Sequence, residues 1–253
     1  MDDMIIKVCG LREADNLAAV EQLDVDMVGF VFYPHSSRYV QMIRSHAGII
    51  PDYSEERLAQ LKVGTALQQP VENNGMCGNR LRRAIGSKPK RVGVFVDEMP
   101  QNIVTRVYNF SLDYVQLHGE ETRETCENLR RTIDPDIRPG IGIIKALRIT
   151  NAADVAQWRQ YEGVVDLFLF DTCCPSVGGS GKQFDWSLLN AYDGPIPFLL
   201  SGGIGPDDVE RIQAIRHPRF MGVDLNSKFE TAPAVKDVNL LSCFVNKLRA
   251  FES

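Results

Sequence analysis

Residues 197–208 read Pro197-Phe-Leu-Leu200, then Ser201-Gly-Gly203, then Ile204-Gly-Pro-Asp-Asp208. A short apolar run gives way to a small-residue loop, and a proline then opens an acidic helical turn. That order is a buried strand, a tight turn and a helix start. The next apolar run, Phe220-Met-Gly-Val-Asp224, follows one short helix later and ends in Asn226-Ser227. A strand whose neighbour lies one helix away in sequence pairs with it in parallel.

The same unit recurs on the N-terminal side of this stretch. Strands are expected at Ile5–Val8, Met27–Phe32, Arg91–Val96, Tyr114–Leu117, Ile141–Ala146 and Asp166–Phe170. Helices are expected near Glu13–Gln22, at Gln101–Phe110, from Glu121, from Ala152, near Trp186, from Pro206, and near Val235–Arg249. Apolar strands alternating with amphipathic helices form a parallel sheet covered by helices. Eight such units in 253 residues fit a closed (β/α)8 TIM barrel. An open doubly wound sheet is the alternative that spacing alone leaves.

The chain therefore reads as one barrel domain over residues 1–253. The connection after the second strand is too long for a single helix. Gly64–Asn79 within it is rich in Asn, Gln and Gly and poor in large apolar residues. An insertion over about 50–85, outside the barrel, is expected.

Net charge is -5, and the two basic clusters, Arg80–Arg83 and Lys88–Arg91, are short. No basic face for nucleic acid is expected. No apolar window reaches the roughly 18 residues of a membrane span, and Met1-Asp-Asp-Met4 lacks a basic signal-like start. A cytoplasmic location is expected. The six cysteines show neither C-x-x-C pairs nor zinc spacing, so reduced thiols and no metal are expected.

In a barrel of this kind ligands bind at the carboxyl ends of the strands. Ser201-Gly202-Gly203 and Asn226-Ser227, after the last two strands, form the pair of loops that grips phosphate through backbone N–H groups. Gly178-Gly179-Ser-Gly181 is a further glycine-rich loop, not a P-loop. Cys9 and Asp171 end the first and sixth strands, where a base and an acid can act on one small substrate. Lys7, on the same strand face as Cys9, either favours the thiolate or pairs with a carboxylate. Arg38, after Tyr33-Pro34, sits where a substrate carboxylate can be held. His118 and Asp224 complete the strand-end polar set.

Read together, these residues resemble the phosphoribosylanthranilate isomerase family. The carriers are Lys7-Val-Cys-Gly10, Gly29–Pro34 with Ser37-Arg-Tyr39, Val92–Val96, Val115–Gly119, Phe170–Thr172, Gly178–Lys182 with Phe184–Trp186, Leu200–Gly203 and Gly222–Ser227. The resemblance runs almost end to end; the insertion and Lys228 depart from the family pattern. It implies conversion of N-(5-phosphoribosyl)anthranilate to 1-(2-carboxyphenylamino)-1-deoxyribulose 5-phosphate, an Amadori rearrangement in tryptophan biosynthesis. It implies Cys9 as base and Asp171 as acid. Arg38, His118, Gly179, Gly181, Ser201, Gly202, Gly203, Asp224, Asn226 and Ser227 would bind the anionic substrate. No cofactor is implied, and a monomer or homodimer is expected. Another phosphosugar isomerase or epimerase, or a non-catalytic phosphate-ligand sensor, are the competing readings.

Overall fold

The computed structural model describes residues 4–41, 88–172 and 185–250. The insertion at about 50–85, Gly179 and Gly181 lie outside the described residues.

Eight parallel strands close into a barrel in chain order, β1 to β8. They are β1 Ile5–Cys9, β2 Met27–Val31, β3 Lys90–Phe95, β4 Tyr114–Leu117, β5 Gly142–Arg148, β6 Leu167–Asp171, β7 Phe198–Ser201 and β8 Phe220–Leu225. β8 pairs with β1, Ile5 facing Gly222 and Lys7 facing Asp224, so no open edge is left. This closure excludes the open doubly wound sheet.

The helices are α1 Ala14–Glu21, α2 Pro100–Phe110, α3 Arg123–Ile133, α4 Ala152–Val155, α5 Val209–Gln213 and α6 Val238–Arg249. Their starts follow ordinary capping chemistry. Thr122 accepts from the Thr125 N–H, Asn151 and Asp154 form a capping box, and Asp237 accepts from the Leu240 N–H. Two connections are tighter than the expected helices, with 3-10 turns over Ala156–Tyr161 and Trp186–Ala191, and a third 3-10 turn lies at Ser227–Phe229.

Period-2 alternation separates two cores. Ile5, Met27, Val92, Ile144, Leu167, Leu169 and Leu199 fill the barrel interior. Ile6, Val8, Val28, Phe30, Phe168, Phe170 and Phe198 face the helices instead. Following the interior face along each strand leads to its mouth residue. Ile5 and Lys7 lead to Cys9, Ile144 and Ala146 to Arg148, and Leu167 and Leu169 to Asp171.

Two expectations are corrected. β5 runs to Arg148 rather than Ala146, because the apolar alternation outlasts Lys145. The last helix starts at Val238, not Val235. Glu230–Ala232 (β9) and Val235–Lys236 (β10) form an antiparallel hairpin before it. Pro233 interrupts that segment and both strands are too short to show a period.

Candidate active site

One cavity of about 450 Å³ opens at the carboxyl ends of the strands. Cys9, Arg38, His118, Asp171, Ser201, Gly202, Gly203, Asp224, Asn226 and Ser227 all line it. Sequence positions from 9 to 227 thus converge because each ends a strand of one ring or lies in the loop that follows one.

Cys9 is buried at the end of β1, opposite Gly29 of β2. A Cβ on Gly29 would stand 2.7 Å from the Cys9 Sγ, so the glycine makes the thiol's space. Burial pushes the thiol's pKa up, and the Lys7 charge only partly offsets it. Of the two expectations for Lys7, pairing with a carboxylate is the one seen, and its charge still favours the thiolate without outweighing burial. Lys7 is bonded to Asp224 at 2.9 Å, and that carboxylate raises the thiol's pKa again. Despite the opposing cost of burial, Asp224 holds the Lys7 amine above its ordinary pKa. Asp224 lines the cavity but is committed to Lys7.

On the opposite wall Asp171 Oδ2 lies 3.4 Å from His118 Nε2. The other ring nitrogen of His118 lies 3.2 Å from Gln116 Nε2. Gln116 Oε1 is buried and has no hydrogen-bond partner among the described residues, which leaves an acceptor for a ligand. The loop carrying His118 is pinned from below. Glu121 accepts from the Gly119 N–H at 2.9 Å and from the Asp97 N–H at 3.0 Å, and Lys145 bonds Glu121 at 2.9 Å. Asp171 and His118 are thus presented by a strand end and a braced turn.

The anion loops sit together on the β7–β8 side. Gly202 and Gly203 have φ of 98° and 68°, a turn that favours glycine. Neither N–H is engaged by another described residue. Asn226 starts the 3-10 turn whose first residue is Ser227. Two small-residue backbone turns therefore flank one end of the cavity, the arrangement suited to a phosphate.

Arg38 is only 21% exposed and does not hang in solvent. Its Nε donates to Glu230 Oε1 at 2.8 Å and its Nη2 to Oε2 at 2.5 Å. Lys236 also donates to Glu230, at 2.6 Å. Burial would raise the Glu230 carboxyl's pKa, but these two cations hold it below its ordinary value. Two cations on one carboxylate leave this corner with a net positive charge.

Glu230 and Lys236 were not legible as site residues, because they belong to the hairpin that the sequence pattern hid. Arg148 was missed for the strand-end reason given above. It lines the cavity from β5 and makes no ion pair among the described residues. The signal for it was present, since Ile144, Ala146 and Arg148 share one strand face.

Among the described residues no group of acids, histidines and cysteines is arranged to hold a metal ion. No helix among them is long and apolar enough to cross a membrane.

Comparison with known proteins places this geometry in context. The profile of the family described as "PRAI: N-(5'phosphoribosyl)anthranilate (PRA) isomerase" matches residues 77–247. The N-(5'-phosphoribosyl)anthranilate isomerase of Parabacteroides distasonis is 40% identical over 245 residues, covering 97% of this chain and 93% of the relative. That of Phocaeicola vulgatus is 40% identical over 246 residues, covering 97% and 98%. Among solved structures, the phosphoribosyl anthranilate isomerase of Thermotoga maritima superposes with TM-score 0.67 at 28% identity, covering 98% of this chain and 99% of the other. A phosphoribosyl anthranilate isomerase in complex with reduced 1-(o-carboxyphenylamino)-1-deoxyribulose 5-phosphate superposes with TM-score 0.65 at 26% identity, covering 98% and 99%.

Proposed function

The chain belongs to the N-(5'-phosphoribosyl)anthranilate isomerase family, and from that premise we propose how its residues carry out the family's reaction. The reaction converts N-(5-phosphoribosyl)anthranilate to 1-(2-carboxyphenylamino)-1-deoxyribulose 5-phosphate in tryptophan biosynthesis. One observation carries the assignment of roles. A strand-end thiol, a strand-end carboxyl, two backbone anion loops and a clamped arginine line one cavity.

Asp171, in its protonated form, gives a proton to the ribose ring oxygen. The C1–O bond breaks, and the nitrogen lone pair forms a Schiff base at C1. Cys9, as thiolate, removes the proton from C2. The electron pair forms the C1–C2 double bond, and the iminium becomes an enolamine. Tautomerisation moves the hydroxyl proton of C2 to C1 and leaves the ketone, and exchange with solvent takes the proton from Cys9 and returns one to Asp171. C1 is reduced and C2 oxidised within one molecule, so the equation balances without an external redox partner.

The substrate's two anionic ends match two regions of the cavity. Ser201, Gly202, Gly203, Asn226 and Ser227 take the phosphate, with Gly179 and Gly181 assigned to the same end. Arg38 takes the anthranilate carboxylate. His118 and Asp224 face the sugar between them. The same reading makes the protein a single-domain enzyme over 1–253, cytoplasmic, and a monomer or homodimer.

The test is direct. The purified protein is given N-(5-phosphoribosyl)anthranilate and the loss of its fluorescence is followed. Depletion with formation of the aminoketose is expected. Folded, monodisperse protein that leaves the substrate untouched overturns the reading.

A further inference from the structure

The Arg38 corner contains more than an arginine. Glu230 occupies the Nε–Nη2 edge of the guanidinium with both oxygens, at 2.8 Å to Nε and 2.5 Å to Nη2. A guanidinium has two usable edges, so the Nη1 side is what remains for an incoming anion. Arg38 lines the cavity. Glu230 is itself held by Lys236, whose ammonium is wholly buried. Lys236 also donates to Asn226 Oδ1, at 2.8 Å, in the loop after β8. Its backbone is fixed in turn by Asn16 of α1, which bonds both the Lys236 N–H at 2.8 Å and its carbonyl at 2.9 Å. Gly10 closes the corner from the other side. A Cβ there would lie 2.6 Å from Arg38 Cδ and 2.7 Å from Asn226 Oδ1.

A solvated arginine has no use for a buried lysine on the far side of its counter-ion. Burying a lysine on a carboxylate that an arginine already holds is costly unless the geometry it imposes is used. We propose that Glu230 and Lys236 are positioning residues. Glu230 clamps one edge of Arg38 so that the other edge meets the substrate carboxylate. Lys236 neutralises Glu230, so the pair does not repel that carboxylate, and it ties the corner to the phosphate loop through Asn226. The carboxylate and phosphate ends of the site are thereby held at a set separation by one hydrogen-bonded chain. This rests on the reading of Arg38 as the carboxylate ligand.

The experiment compares two ligands by calorimetry. One is reduced 1-(o-carboxyphenylamino)-1-deoxyribulose 5-phosphate, and the other is the same compound without the ring carboxylate. Glu230→Gln keeps the shape and loses the charge. Glu230→Asp keeps the charge and cannot span the fork. Each variant is expected to weaken the carboxylate-bearing ligand about tenfold, the scale of one charge-assisted contact. Each should change the carboxylate-free ligand by less than about twofold, and turnover should fall through KM more than kcat. Equal weakening of both ligands would show a merely structural role and overturn the proposal. Unchanged or tighter binding of the carboxylate-bearing ligand overturns it too, the latter making Glu230 a competitor for Arg38. Arg38→Ala is the reference. If it fails to discriminate the two ligands, the reading of Arg38 itself is wrong and the proposal goes with it.

Discussion

Lys7 on β1 and Asp224 on β8 form an ion pair of 2.9 Å inside the barrel, with side chains 0% and 6% exposed. It lies where the first and last strands of the ring meet, directly beneath Cys9. The pair sits at the seam where backbone pairing closes the sheet, and its two charges act in opposite directions on the thiol above it.

Lys7→Met should strand the Asp224 carboxylate in an apolar ring. Removing one partner of a buried pair costs about 3–5 kcal/mol. Chemical denaturation should show this as a lowered midpoint with an unchanged slope. Replacing both residues, Lys7→Met with Asp224→Leu, should recover most of the loss. A single variant as stable as the parent would show that the pair contributes nothing to closure.

Cys9→Ser and Asp171→Asn should each lower kcat by roughly 10²–10⁴, the range for a positioned acid or base. Product-analogue binding should change far less, because neither group is assigned to an anion. Steady-state kinetics on folded protein checks this. A Cys9→Ser protein with kcat near that of the parent would reduce Cys9 to a packing residue.

The raised Cys9 pKa makes a prediction about pH. The ordinary thiol value is about 8.5, and burial moves Cys9 above its own. The active thiolate is therefore a minor species at neutral pH. The rate at which iodoacetamide alkylates Cys9, read by mass spectrometry of its peptide, should climb from pH 7 towards pH 9, because only the thiolate reacts. Lys7→Met removes a charge that favours the thiolate, so its climb should shift to higher pH. In Cys9→Ser that alkylation should disappear. The sign for stability follows from the same shift. The folded chain favours the protonated thiol, so this contribution is complete below the unfolded-state pKa and is lost as pH rises through the folded one. An alkylation rate that is flat between pH 7 and 9 would contradict the raised thiol pKa.

Gly29→Ala should leave the barrel folded and damage the site. The added Cβ would lie 2.7 Å from the Cys9 Sγ. Displacing a base by about 1 Å costs on the order of 10² in rate. The expected result is a large fall in kcat with a small change in melting temperature. Unchanged kcat would show that the thiol moves aside without consequence.

Short apolar runs set between amphipathic stretches are local signals, so the sequence alone determined the eight strands and the mouth positions of Cys9, Asp171 and Ser201. Such a run was legible wherever a strand was long and apolar enough to stand out from its flanks. The motifs at those mouths were enough to point to the family. What lay beyond the sequence was every relation between distant positions. Lys7 and Asp224 stand 217 residues apart and meet only because β8 closes on β1. The direction of the Cys9 shift depended on burial against that pair, and burial belongs to the closed ring. Arg38 and Glu230 stand 192 residues apart, and Glu230 lies on a hairpin too short to show a period. Sequence could nominate an arginine for the carboxylate. Only the packing of the β9–β10 hairpin over the barrel mouth decided which of its edges was already taken.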